Sequence, residues 1–367
     1  MSRITLILIM AILTQPFYAQ SEKYNLLIGT YTNSGKSQGI YSYQTDMKTG
    51  ELIEKSVTTG ITNPGFLAIA PGRKFVYSVS ESNEGSAAAS FLFDKKNGNL
   101  CLINRSSTQS PGPCYITATK KHVFTANYNG GSISVFGRNP DGSLTEIKQL
   151  IKHEGKSINK ERQNQSHIHQ VLMSQDNKFL IANDLGTDKV MVYKYNAKSQ
   201  TEILTLFDTF TAKPGSGPRH SALSKDGKKL YLLQELDGTI SVLTFNNGKT
   251  ALIQETSVVK NNKGNAWAAD IHLSPDGKYI YATNRTPAND ITCFIIEKDG
   301  RLTFKQQIST GGDVPRNFAI TPDGAYLFVA HQDTDNVVIF KRDKKSGELS
   351  DTGNRISVGS PVCLVFY

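Results

Sequence analysis

From Ala269 to Leu273 small or polar residues alternate with apolar ones, and the run stops at Ser274-Pro275-Asp276-Gly277. A second run, Lys278 to Thr283, follows; Ile291 to Ile296 is a third. Leu302 to Gln307 begins a fourth after the turn Lys298-Asp299-Gly300. Period-two alternation is the mark of a strand whose two faces meet different surroundings. An Asp-Gly pair between such runs reads as a turn, because glycine tolerates positive φ. No run of comparable length carries the apolar spacing of a helix. Four short antiparallel strands joined by turns are the predicted unit.

The unit recurs. Ser-Lys-Asp-Gly-Lys-Lys-Leu-Tyr-Leu from Ser224, Ser-Pro-Asp-Gly-Lys-Tyr-Ile-Tyr-Ala from Ser274 and Thr-Pro-Asp-Gly-Ala-Tyr-Leu-Phe-Val from Thr321 are three copies of one segment. Ser174 and Ala70 open two more, and a degenerate sixth starts near Thr119. Aligned turn residues at Asp176, Asp226, Asp276 and Asp323 are 50, 50 and 47 residues apart. From Gly72 through Lys120 to Asp176 the steps are 48 and 56, the longer one holding an insertion, His153 to Ser166. A fixed period of this size predicts stacked blades around an axis, since one such sheet cannot bury both faces alone. The expected fold is all-β, a seven-bladed β-propeller with four antiparallel strands per blade.

The seventh copy is divided between the chain ends. Asn25 to Thr30, Gly39 to Gln44 and Glu51 to Val57 match the second, third and fourth strands of a blade. Pro361 to Phe366 matches the innermost strand of other copies, such as Pro64 to Ile69. The C-terminal strand is therefore expected to complete the first blade and close the ring.

Residues 1–19 stand apart. Arg3, the nearly continuous apolar stretch Ile4 to Leu13, and Ala19 before Gln20 have the form of a secretory signal peptide, too short for a spanning helix with flanks. Residues 20–367 are expected to form one propeller domain, exported to the periplasm or exterior. No later stretch has membrane-spanning length. The net charge of +9 permits an anionic ligand, while the lack of a dense basic run with interleaved aromatics argues against nucleic acid. A monomer is expected. Cys101, Cys114, Cys293 and Cys363 form no Cys-x-x-Cys or metal spacing and read as four buried free thiols, with Cys114 and Cys363 near enough in the repeat to approach one another.

Aligning the copies produces two columns of residues. The end of each second strand carries Tyr31, Glu81, Tyr128, Asp184, Glu235, Arg285 and Gln332; the start of each innermost strand carries Gly65, Cys114, His169, Arg219, Ala269, Arg316 and Val362. Both columns should open at one face beside the axis, where converging charges shift one another's protonation. Arginine can grip a carboxylate or phosphate through two parallel hydrogen bonds. Glu235 and His169 are the candidate proton carriers, with the choice between them open. Against this, each arginine could simply pair with an acid on the next blade, Glu235 could be spent in a salt bridge, and His169 could be an ordinary hydrogen-bonded histidine. His167-x-His169 could be half of a metal site, but no third ligand is apparent. There is no Gly-x-Ser-x-Gly elbow, Walker A loop, His-Glu-x-x-His or complete Gly-x-Gly-x-x-Gly.

Ten motifs occur in order: Leu-Ile-Gly-Thr-Tyr-Thr from Leu27, Gly-Ile-Tyr-Ser-Tyr from Gly39, Ala-Asn-Tyr-Asn-Gly-Gly-Ser from Ala126, Arg162-Gln163, Ser-His-Ile-His from Ser166, Gly-Pro-Arg-His from Gly217, Gln-Glu-Leu from Gln234, Trp-Ala-Ala-Asp-Ile-His from Trp267, Thr-Asn-Arg-Thr from Thr283, and Val-Pro-Arg-Asn-Phe from Val314. The chain resembles the seven-bladed propeller lactonases, which include bacterial 6-phosphogluconolactonase and the fungal 3-carboxy-cis,cis-muconate lactonising enzyme. Ser166 stands where that family often has proline. The resemblance implies hydrolysis of an anionic sugar lactone by activated water, with no metal or organic cofactor. It places His169, Arg219, Glu235 and Arg285 in catalysis. Asn127, Asp184, His220, Arg316 and Gln332 are expected to contact the substrate. Ring closure of a carboxymuconate, or a non-enzymatic exported propeller used as a binding scaffold, are the alternatives.

Overall fold

The computed structural model describes residues 23–81, 85–259 and 266–367; the expected leader, 1–19, lies outside them. Every regular element among the described residues is a strand, and the strands form seven separate four-stranded antiparallel sheets. The innermost strands of blades 2 to 7 are Leu67–Ile69, Pro113–Ala118, Ile168–Met173, Pro218–Leu223, Ala268–Leu273 and Pro315–Ile320. Each touches the innermost strand of the next blade around the axis.

Blade 1 closes as its split copy requires. Pro361–Phe366 pairs antiparallel with Lys23–Thr30, with Leu26 opposite Phe366 and Gly29 opposite Cys363. Gly29 is needed there, because a Cβ would come within 2.5 Å of the Pro64 carbonyl. The inserted strand also ties to both neighbours: Leu364 N–H donates to Asn317 Oδ1 at 2.7 Å, and Cys363 Sγ accepts from Leu67 N–H at 3.4 Å.

The core is seven apolar clusters, one at each blade interface. The period-two pattern explains the partition. In Lys23–Thr30, Leu26 and Ile28 pack against blade 7, while Leu27 between them packs against blade 2. Within four blades, the turn from the first to the second strand is held by the repeated hydroxyl-Asp pair. Ser174, Ser224, Ser274 and Thr321 each donate to the aspartate two residues on, at 2.5–2.7 Å. The left-handed turn position is Gly227, Gly277 and Gly324 in three copies and Asn177 in a fourth.

Two expectations need correction. The innermost strand of blade 2 starts at Leu67 rather than Pro64. Pro64 has no N–H to give, Gly65 N–H turns back to the Asn63 carbonyl at 2.6 Å, and the Tyr31 ring occupies the space beside Gly65. The cysteines are all free, but only Cys293 and Cys363 are buried; Cys101 is exposed on the outer strand Asn99–Ser107, and Cys114 is half-buried. Cys114 belongs to blade 3 and Cys363 to blade 1, with blade 2 between them.

Candidate active site

In six blades the ladder between the first and second strands slips near its start, and the slip is what aims side chains at the axis. Pro113 faces Asn127 and Tyr115 faces Ala126, so Cys114 is an extra residue with no partner. His169, Arg219 and Arg316 are extra in the same way in blades 4, 5 and 7, and Val362 in blade 1. In blade 6, Ala269 and Asp270 together face Thr283. A bulge of this kind bends the strand and redirects one side chain. Six of the seven residues in the column aligned in the sequence are thus bulge residues, Gly65 being the exception. Gly65, Cys114, His169, Arg219, Arg316 and Val362, with Tyr31, Phe66, His220 and Asn317, line one axial cavity of about 10 Å³, room for about one water.

Beside this cavity a single carboxylate is surrounded by arginines. Glu235 Oε2 accepts from Arg219 Nε at 2.8 Å and lies 2.9 Å from Arg285 Nη2; Oε1 accepts from Arg162 Nη2 at 2.5 Å. Arg219 is fully buried and also donates to the Ala269 carbonyl. Arg285 donates from Nε to the Trp267 carbonyl at 3.0 Å. Burial alone would push Glu235 up, but Arg285, Arg219 and Arg162 overcome it and hold the carboxyl at about 2. Burial pulls Arg285 down to about 9, against the pull of Glu235, so it stays charged near neutral pH. Three guanidiniums on one carboxylate leave a local excess of positive charge.

His169 also lines the cavity, next to Tyr128. Its ring meets Tyr128 edge-on at 5.5 Å and His220 at 5.1 Å, and Nδ1 lies 4.0 Å from Cys114 Sγ. Burial, then the charge of Arg219, lowers His169 well below its usual value, so it is a neutral imidazole at neutral pH. Burial raises Cys114 to about 12, which keeps it a thiol and removes it as a nucleophile. His220 is likewise neutral, lowered by burial to about 4, and its Nδ1–H donates to Asp270 Oδ1 at 2.7 Å. Asp270 also pairs with His272, whose Nε2 is 2.9 Å from Oδ2; burial opposes protonation of His272, and Asp270 outweighs it, raising His272 above its usual value.

Of the nine residues expected at the site, His169, Arg219, His220 and Arg316 line the cavity, and Glu235 and Arg285 join it through Arg219. Arg316 lies over the Tyr31 ring at 5.4 Å and has no ion-pair partner within reach among the described residues. Gln332 is half-buried with Oε1 unpartnered among the described residues. Asn127 and Asp184 face elsewhere. Asn127 is fully buried and spends its amide on Ser132 and Ser134 at 2.9 and 2.8 Å. Asp184, also fully buried, accepts from Ser166 Oγ at 2.7 Å and from the His167 and Gly186 N–H groups at 2.8 and 3.0 Å. It anchors the returning insertion, and Ser166 supplies there a hydroxyl that proline could not. His167 stacks on Tyr128 at 4.3 Å and pairs with its carbonyl through Nδ1 at 2.9 Å, so it does not face the same space as His169. No cluster of three metal-binding side chains is present among the described residues.

Sequence reasoning passed over Arg162 and Trp267 as site residues. Arg162 belongs to no repeat column, because it lies in the one insertion, and Trp267 is two positions before its column. Both stood in the ordered motifs, and Trp267 is the sole tryptophan.

The family profile described as "Lactonase, 7-bladed beta-propeller" matches residues 25–366. The chain belongs to that family. A Formosa agariphila protein named 6-phosphogluconolactonase is 35% identical over 93% of this chain and 99% of its own. A solved Bacteroides fragilis structure, described as a candidate 6-phosphogluconolactonase, is 40% identical with a TM-score of 0.90 over 94% of this chain and 98% of its own. The periplasmic gluconolactonase of Pseudomonas aeruginosa is 33% identical, with a TM-score of 0.88 over 94% and 99% of the two chains.

Proposed function

We propose that the protein is a lactonase that opens an anionic sugar lactone of the 6-phosphogluconolactone type by addition of water. The observation that carries this is the convergence of Arg162, Arg219 and Arg285 on Glu235, beside a cavity that holds the neutral His169 and the unpaired Arg316. Relatives named as 6-phosphogluconolactonases support the substrate class.

Both oxygens of Glu235 are taken by guanidiniums, so it has no free position from which to accept a proton from water. His169 has Nε2 free of protein partners among the described residues, so we assign it the proton transfers. Water oxygen attacks the carbonyl carbon as its proton passes to Nε2. The resulting oxyanion is stabilised by the remaining guanidinium donors. The ring C–O bond then breaks, and the departing oxygen takes the proton back, giving the hydroxy acid. Glu235 fixes the direction of the arginines, which is the preorganisation that electrostatic catalysis needs.

Arg285→Ala should fold and lose about 10²–10³ in kcat, the usual cost of one oxyanion donor. His169→Gln should lose about 10²–10⁴. Steady-state hydrolysis of 6-phosphogluconolactone by both variants checks this; turnover like that of the unmodified protein in either would remove that residue from the reaction.

Export belongs to the same proposal. The leader-like residues 1–19 and the likeness to a periplasmic enzyme support it. N-terminal sequencing of the mature chain should start at or near Gln20, and an intact Met1 on the accumulated protein would speak against it.

A further inference from the structure

Arg162 differs from the other two arginines around Glu235. Arg219 and Arg285 lie on the blade framework, and each also grips a main-chain carbonyl. Arg162 lies on the insertion between blades 3 and 4, just after a turn in which Asn159 Oδ1 accepts from the Glu161 and Arg162 N–H groups at 3.1 Å. Among the described residues its guanidinium hydrogen-bonds through Nη2 alone, to Glu235 at 2.5 Å and to the Tyr128 hydroxyl at 3.1 Å. Its Nη1 is buried with no hydrogen-bond partner among the described residues. A buried donor without an acceptor is costly, and this one adjoins the surplus of positive charge.

Trp267 defines where an acceptor would sit. It is 43% exposed, and both Arg162 and Arg285 lie over its ring, at 4.8 and 5.2 Å from the centroid. The indole sets two guanidiniums beside one another at the edge of the site. Such a pair suits a group with several oxygens and a negative charge. Glu235 is shared three ways, so losing Arg162 to another anion still leaves it Arg219 and Arg285.

We propose that Arg162 is the specificity-determining residue of the lactone site, turning from Glu235 to a phosphate or carboxylate substituent of the substrate. The assignment rests on the lactonase reading. It makes the insertion the reader of the substrate's anionic end, while the bulge ring handles the lactone carbonyl.

The test compares 6-phosphogluconolactone with glucono-δ-lactone in the full-length mature protein, Arg162→Gln and Arg162→Lys. The ratio of the two kcat/KM values should fall about 10–100-fold in Arg162→Gln, through KM for the phosphorylated lactone, the loss expected for one charged hydrogen-bond donor. Arg162→Lys should lie between. A ratio unchanged while both rates fall would make Arg162 merely structural and overturn the proposal. Should Arg162→Gln fail to fold, the ratio in Arg162→Lys decides in the same way. Hydrolysis of neither lactone by the unmodified protein would instead remove the lactonase reading. Calorimetric titration with 6-phosphogluconate and gluconate then decides separately. Selective weakening of the phosphorylated acid in the variants supports Arg162 as its reader; equal weakening, or no binding, overturns it.

Discussion

A chain ending at Ser360 should lose its cooperative thermal unfolding. The truncation removes the innermost strand of blade 1, and with it Val362, Cys363 and Leu364, all buried. Burying a Val or Leu side chain contributes about 1.5–3 kcal/mol. The larger effect is topological. Leu364 belongs to the apolar cluster between blades 1 and 7, and Cys363 to that between blades 1 and 2. Removing the strand opens both clusters, exposes the Lys23–Thr30 edge, and leaves Asn317 Oδ1 and Leu67 N–H without their partners. The sum is comparable to the whole stability of an ordinary domain, about 5–15 kcal/mol. Circular dichroism melts of the two chains check this. An equally sharp transition at the same temperature in the shortened protein would mean that the ring does not depend on this closure.

Glu235→Gln should be the most damaging single substitution at the site. It leaves Arg219, fully buried, without its ion-pair partner, and weakens the hold on Arg162 and Arg285. Breaking a buried pair by removing one partner typically costs about 3–5 kcal/mol, a fall in Tm on the order of 5–10 °C for a domain of this size. Activity should fall with it, because the arginines lose the group that orients them. The same residue sets an acid limit. Its folded pKa, about 2, lies below the ordinary 4.5. A depressed carboxylate stabilises the fold above the unfolded value, and that contribution is lost as pH falls from about 4.5 towards 2. The shift corresponds to about 3 kcal/mol. Denaturant titrations across that window should show this slope in the unmodified protein and a flatter one in Glu235→Gln. Parallel slopes would show that the carboxylate titrates elsewhere.

The ring and most of its mouth were legible in the chain because both follow from repetition. Alternating positions such as Leu26, Leu27 and Ile28 name the blade faces, and the aligned turns at Asp226 and Asp276 number the blades. A residue recurring at one place in each copy, as His169, Arg219 and Arg316 do, must return at one height around the axis. What alignment could not show was the bulge that turns these residues inward, since an extra residue in a ladder exists only once two strands pair. Nor could it separate Asn127 and Asp184, which end their strands buried in hydrogen bonds, from Glu235, which follows the end of its strand among cations. Arg162 escaped for the opposite reason: an insertion has no counterpart in the other copies, so periodicity is silent about it.

The bulge ring also separates what holds the molecule together from what it can recognise. Cohesion lies between blades, in apolar clusters that exclude His169, Arg219 and Arg316. Each bulge offers one side chain to the axis, and neither strand needs that side chain for its ladder. Gly65 is barred from change by the Tyr31 ring, but Cys114, Ala269 and Val362 hold small uncharged groups at stations equivalent to those of the charged ones. A scaffold built this way can be retuned to a new small molecule by exchanging a handful of residues far apart in the chain, while the packing that makes it durable is inherited intact.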